Sequence, residues 1–251
     1  MVTLKSPREI DLMARAGDIV ARTLSLCRGL VRPGITTDAI DREAEEFIRS
    51  HPGATPSFKG LYGFPRSLCI SVNEEVVHGI PSAKRTLREG GIVSIDCGVC
   101  IEGFHADSAI TVAVGPASAD TERFLETTQR ALDAGIAQAR LGNHIGDIGH
   151  AIQAVAEAGG YGVIRELVGH GVGTQMHEDP QVPNHGKPKR GERLLEGMTI
   201  AIEPMITMGD YRTKTLQDKW TVVTQDGSMA AHFEHTVAVT RNGPRILTLA
   251  A

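Results

Sequence analysis

The chain has 251 residues, 41% of them hydrophobic and 22% charged, the composition of a globular protein long enough to bury a substantial core. A net charge of -4 argues against wholesale nucleic-acid binding, and neither a secretory h-region in residues 1–9 nor an apolar run of membrane-spanning length is present. The expected compartment is therefore the cytoplasm, and four cysteines, far below the density of a secreted disulfide scaffold, agree with it.

Ser6-Pro7-Arg8-Glu9 reads as a capping box with proline at the first helical position, opening a helix to about residue 30, where Val31-Arg32-Pro33-Gly34 ends it. A second helix is expected over about residues 37–50, closed by His51-Pro52-Gly53 ahead of a loop rich in glycine and proline. Strands follow around residues 67–72, 92–99 and 110–114, the last two joined by a turn at Glu102-Gly103. Helices return at about 120–140 and 145–158, the latter ending at Gly159-Gly160, with strands from there to the C-terminus. Each half thus reads as two helices followed by strands, which predicts an α+β fold with helices packed on one face of a sheet that both halves share.

The halves also resemble each other. Glu89-Gly90-Gly91-Ile92-Val93-Ser94-Ile95-Asp96 aligns with Glu196-Gly197-Met198-Thr199-Ile200-Ala201-Ile202-Glu203 at an offset of 107 residues, each an apolar strand run ending on a carboxylate. Asp107-Ser108-Ala109-Ile110-Thr111-Val112-Ala113-Val114 aligns with Glu234-His235-Thr236-Val237-Ala238-Val239-Thr240, and here a carboxylate opens each strand. Upstream, Gly34, Ile40 and Ala44 match Gly142, Ile148 and Ile152 on the predicted helices. Three matches in the same order point to two related halves, residues 1–116 and 117–251, within one domain, and the long period excludes a solenoid.

The repeat places acids at matching points. The turn after residue 101 lets Asp96 and Asp107 come opposite one another on one hairpin face, where two carboxylates repel and need cations, shared protons or solvent between them. A single acid here would be read as an exposed strand-end residue. Glu203 and Glu234 make four, and carboxylate oxygens suit hard divalent cations, to which His170 would add a nitrogen ligand. Cys97 and Cys100 form a C-x-x-C, but residues three apart on a strand point to opposite faces and would not share a metal. Cys27, in a helical pattern, reads as core.

The motifs Val76-Val77-His78-Gly79-Ile80-Pro81, Asp96 through Asp107, Gly169-His170-Gly171-Val172-Gly173, His177-Glu178-Asp179-Pro180, Ile202-Glu203-Pro204 and Phe233-Glu234-His235-Thr236 resemble those of the type I methionine aminopeptidases, in their short bacterial form. The resemblance runs over nearly the whole chain. It implies the pita-bread fold: two pseudo-twofold-related halves sharing a curved antiparallel sheet, with helices on the outer face. It implies removal of the initiator methionine from nascent proteins and peptides, with a small second residue preferred. Two divalent ions, Mn, Fe(II), Co or Zn, would lie about 3.5 to 4 Å apart. Asp107 and Glu234 would bridge them, Asp96 completing one and His170 with Glu203 the other. A water or hydroxide held between the metals would be the nucleophile, and Glu203 would carry its proton toward the leaving amine. His177 would donate to the developing oxyanion and His78 would contact the substrate amide, neither binding metal.

The same resemblance implies a methionine pocket of Phe58, Leu61, Phe64, Cys69, Met176 and Trp220, with Leu61 departing from the tyrosine common at its position. Each of these apolar residues can also be read as core, and for Leu61 or Met176 taken alone that is the better reading. His105, two residues before Asp107, has no ligand role in the pattern, and His51, His144, His150, His185, His232 and His235 read as surface or structural groups. The basic stretch Lys187-Pro188-Lys189-Arg190-Gly191-Glu192-Arg193 is a solvated turn or a transient contact with ribosomal RNA. A monomer without membrane or specific DNA partners is expected. The rival readings are an X-Pro aminopeptidase or prolidase, which usually carries an additional N-terminal domain, and a binding protein of the same fold that has lost its metals.

Overall fold

The computed structural model describes residues 2–250; Met1 and Ala251, the ends of the expected single domain, lie outside the described residues. Ser6 caps the first helix as its sequence requires. Its side chain accepts from the Glu9 N–H while the Glu9 carboxylate accepts from the Ser6 N–H at 2.7 Å, so two orphan donors are satisfied reciprocally. Helix α1 (Pro7–Leu30) buries Ile10, Met13, Ala16, Val20, Leu24 and Cys27 at steps of three and four, and α2 (Thr37–Arg49), capped by Thr36, buries Ile40, Ala44 and Ile48.

Short strands β1 (Ala54–Pro56), β2 (Leu68–Val72) and β3 (Glu75–Val77) lead to a hairpin of two ten-residue strands, β4 (Ile92–Ile101) and β5 (Phe104–Ala113). The second half begins with α3 (Ala119–Gln138) and α4 (Ile145–Ala158), followed by β6 (Gly162–Val163), β7 (Gly169–Gly171), β8 (Glu178–Val182) and β9 (Thr199–Ile202). It closes with β10 (Met205–Thr207), β11 (Thr213–Thr215), β12 (Val222–Thr224), β13 (Ala230–His232), β14 (Glu234–Thr240) and β15 (Gly243–Ile246). The helices fall where the sequence puts them. Strand β5 does not start at residue 110 but at Phe104, so Asp107 lies inside the strand rather than opening it.

The main sheet has nine strands in the path β1-β4-β5-β14-β9-β7-β8, with β2 on β4 and β15 on β14. Its centre reads β4-β5-β14-β9, an order that is unchanged when each strand is exchanged for its repeat partner, so the pseudo-twofold axis falls between β5 and β14. All the pairings are antiparallel, and the sheet curls. Because side chains alternate along a strand, Val93, Ile95, Cys97 and Val99 of β4 face one way and pack with Ala16, Val20, Ile40 and Ile48 of α1 and α2. Ile200, Ile202, Val237 and Val239 do the same against Phe124, Leu132, Ile148 and Ile152 of α3 and α4. Fully burying each such branched side chain contributes about 1.5–3 kcal/mol. The helices thereby claim one face of the sheet, and the alternate residues, Asp96 among them, are turned to the other.

Candidate metal centre

Register brings the acids together. Asp96 stands opposite Ala109 on β5, and Ala109 stands opposite Glu234 on β14, so the two carboxylates flank one small methyl group on a single rung. Since His235 pairs with Ile202, continuing that rung past β14 reaches Glu203, the residue just beyond β9. The next rung on the same face carries Gly98 opposite Asp107, then Thr236 opposite Ala201 and, one step from the Gly171–Ile200 pair, His170. Thr236 Oγ1 accepts from the Asp107 N–H at 3.0 Å and donates to Asp107 Oδ1 at 2.9 Å, locking the seam between the halves. All five residues expected as ligands thus occupy two adjacent rungs. Asp96 and Asp107 are diagonal neighbours rather than directly opposite, because the hairpin turn sets Gly98 across from Asp107.

Local sequence explains how His170 reaches the floor. A Cβ on Gly171 would lie 2.1 Å from the Asp179 carbonyl oxygen, and one on Gly169 would lie 2.3 Å from that of Ala201, so only glycine fits on either side of the histidine. The His170 Nδ1 donates to the Gly171 carbonyl at 2.8 Å, which directs Nε2 at Asp107 Oδ2, 3.5 Å away, and Glu203 Oε1, 3.6 Å away.

The donor atoms of Asp107, His170 and Glu234 all lie within 4.8 Å of one another, and Asp107 and Glu234 are 3% and 2% exposed. Burial, followed by the charges of Asp107 and Glu203, pushes the Asp96 carboxyl well above its usual range, and burial followed by the same two charges does so for Glu234. Burial alone would lower the His170 imidazolium, but Asp107 and Glu203 outweigh it and lift the group to about 9. Buried Asp96 Oδ1 has no hydrogen-bond partner among the described residues. Hard oxygen donors that repel one another, an oriented imidazole and an orphaned buried oxygen together fit divalent cations.

The floor opens into a cleft of about 740 Å³. Phe58, Leu61, Phe64, Cys69 and Trp220 line one side, with Phe64 and Trp220 edge to face at 5.1 Å. His78 and His177 line the rim, both with pKa lowered, first by burial. His78 holds a left-handed backbone, φ 58°, an energetically costly conformation for a residue with a Cβ. Met176, expected in the methionine pocket, is buried beneath it with Phe58 and Val172 and does not line the cleft. Tyr62, absent from the sequence-derived site, does line it and stacks on His177 at 5.7 Å. Next to His177, Glu178 forms a 2.5 Å ion pair with Lys5 and accepts from the Gln175 N–H at 3.1 Å, tying the N-terminal segment to the wall of the cleft.

Of the histidines set aside in the sequence, His105 is occupied by Ser57 Oγ at 2.9 Å and His235 by Thr248 Oγ1 at 2.8 Å. His232 is different: its side chain is 3% exposed, and its Nε2 lies 3.5 Å from Glu203 Oε2 and 3.8 Å from Glu234 Oε2. The one available signal was its place two residues before Glu234.

An acid-rich floor at the seam of a repeated antiparallel sheet is the architecture of a two-half metallohydrolase, and comparison places it. The model of metallopeptidase family M24 matches residues 11–241, and the chain belongs to that family of hydrolases. Within it, the methionine aminopeptidase of Clostridium perfringens is 56% identical over 249 residues, 99% of either chain. The crystal structure of the methionine aminopeptidase from Thermotoga maritima superposes with a TM-score of 0.97 at 43% identity, covering 99% of this chain and all of that one. A prolidase from Pyrococcus furiosus, 21% identical, superposes at 0.78 over 98% of this chain and 65% of its own, a likeness of pita-bread fold alone.

Proposed function

We propose that this protein removes the initiator methionine from nascent proteins and peptides that carry a small second residue, acting as one catalytic domain of two related halves. The observation that carries the reading is the joint one: a buried donor cluster at the floor of a cleft whose wall is apolar and whose rim carries two neutral imidazoles. Asp96, Asp107, His170, Glu203 and Glu234 would hold two divalent ions. When bound, such ions polarise a scissile carbonyl and lower the pKa of water.

The chain's own groups do the rest. Phe58, Phe64, Cys69 and Trp220 receive the thioether side chain, with Leu61 at the edge and Met176 backing the pocket from below. His78 and His177, kept neutral by burial, each offer one N–H: His78 to the substrate amide and His177 to the carbonyl oxygen as charge develops on it. Glu203 lies at a strand end, with the reach to move a proton from the attacking water to the leaving amine. The exposed loop at residues 187–193 is the candidate for ribosome contact, and replacing Lys187, Lys189, Arg190 and Arg193 by alanine should abolish salt-sensitive binding.

The test is release of free methionine from Met-Ala-Ser and Met-Lys-Ser peptides by apo-protein reconstituted in turn with Mn, Fe(II), Co and Zn. Metal-dependent cleavage of the first peptide alone is expected. No cleavage with any metal would overturn the reading.

A further inference from the structure

His232 is the one imidazole at the floor that the ligand reading leaves without work. Its backbone is held from two directions. The N–H donates to Thr111 Oγ1 at 2.9 Å, the Thr111 hydroxyl donates back to the His232 carbonyl at 2.8 Å, and β13 pairs His232 with Met205 on β10. The ring therefore enters the site from a fixed point, and its Nε2 has no hydrogen-bond partner within ordinary reach. What lies beside that nitrogen are two carboxylate oxygens, Glu203 Oε2 and Glu234 Oε2. Once ionised, as they would be around a cation, these carboxylates only accept, so a nitrogen placed beside both serves them as a donor. Glu203 is then spanned by two imidazoles, with Oε2 on the His232 side and Oε1 3.6 Å from His170 Nε2.

We propose that His232 is a positioning residue of the metal centre: its Nε2–H, set 3.5 Å from Glu203 Oε2 and 3.8 Å from Glu234 Oε2, attracts both carboxylates, holds them in place and leaves Glu203 Oε1 turned toward His170. It is not a sixth ligand, because the oxygens beside its Nε2 are those of two expected ligands, Glu203 Oε2 and Glu234 Oε2, on the side a cation would need. The inference rests on the reading of those carboxylates as ligands. It adds a residue that fixes their geometry without touching substrate or metal.

The experiment titrates apo-protein with Mn(II) by calorimetry and with Co(II) by visible absorption, for the wild type, His232→Ala and His232→Gln. Loss of an outer hydrogen-bond partner costs about 10- to 100-fold in metal affinity, so His232→Ala should weaken at least one ion by that factor while its circular dichroism stays unchanged. His232→Gln, whose amide places an N–H in the same region, should recover most of the loss, which a purely space-filling role would not predict. Imidazole ¹⁵N spectra of the Zn-loaded wild type should show His232 Nε2 carrying a proton, a measurement that stands even where His232→Ala fails to fold. Equal affinities in wild type and His232→Ala, or an unprotonated His232 Nε2 in the loaded protein, would overturn the proposal. A wild type that binds no divalent ion would instead remove the ligand reading beneath it.

Discussion

The two halves build one floor by different means. In the first, Asp96 and Asp107 sit well inside ten-residue strands, so short side chains on a rigid ladder set the positions of their carboxylates. In the second, Glu203 lies just past β9 and Glu234 is the first residue of β14, and longer side chains reach back from strand ends. That half also supplies both floor imidazoles, His170 and His232; His105, the first-half residue aligned with His232, is instead held by Ser57 Oγ at 2.9 Å. Repetition thus provides the scaffold, and departure from it provides the chemistry: fixed acids in one half, adjustable acids and nitrogen donors in the other.

Substitution in the rigid half should give the largest effect. Asp107→Asn removes a central donor, and since a bound metal supplies several kcal/mol of transition-state stabilisation at a tenfold rate per ~1.4 kcal/mol, methionine release should fall by on the order of a thousandfold. Glu203→Gln, in the adjustable half, should retain bound metal by elemental analysis while kcat falls at least about a hundredfold, the low end for a positioned acid-base group. Near-normal turnover with both metals present would end its role as proton carrier.

The imidazole side of the comparison is sharpened by pH. His170, raised from 6.5 to about 9, contributes stability that is complete below the unfolded value and is lost as pH climbs through the folded one, on the order of 3 kcal/mol in all. Asp96 and Glu234, also raised, act in the same direction, because the folded apo-protein holds protons that the unfolded chain has released. The Tm of the apo-protein should therefore drop by several degrees between pH 6.5 and 9 in scanning calorimetry, and Mn saturation should abolish the drop. A flat apo-protein profile would contradict the crowded-carboxylate picture. The smallest effect is expected at the pocket edge, where Leu61→Tyr should alter the ratio of rates on Met- and Leu-initiated peptides by less than about tenfold, with an unchanged ratio removing Leu61 from specificity.

Much of this was legible in the sequence because its signals are local. The capping box at Ser6 and the three- and four-residue spacing of buried positions gave α1, and the turn at Glu102-Gly103 gave the β4–β5 hairpin. The start of β5 was not legible, since His105, Asp107 and Ser108 spoil an apolar alternation; those polar groups are accommodated by partners far along the chain, such as Thr236 for Asp107. His232 was missed for a related reason. β13 is three residues long, too short to show a period, and the nearness of His232 to Glu203 comes from its pairing with Met205, a contact between segments that no local pattern announces. Met176 could be assigned to the pocket by resemblance, but whether a buried side chain lines a cleft or backs it depends on packing that sequence does not display.

The place of β14 has a consequence for how the chain is made. It is the central strand of the sheet path, yet it follows β5 only after two helices and eight further strands, so during synthesis the β4–β5 hairpin has an open edge until the chain has been made through Thr240. Exposed strand edges invite pairing with other chains, and inward-pointing charge is one of the standard guards against it. Asp107 sits in β5, the strand that β14 later covers, and a charge there opposes such pairing before any cation is bound.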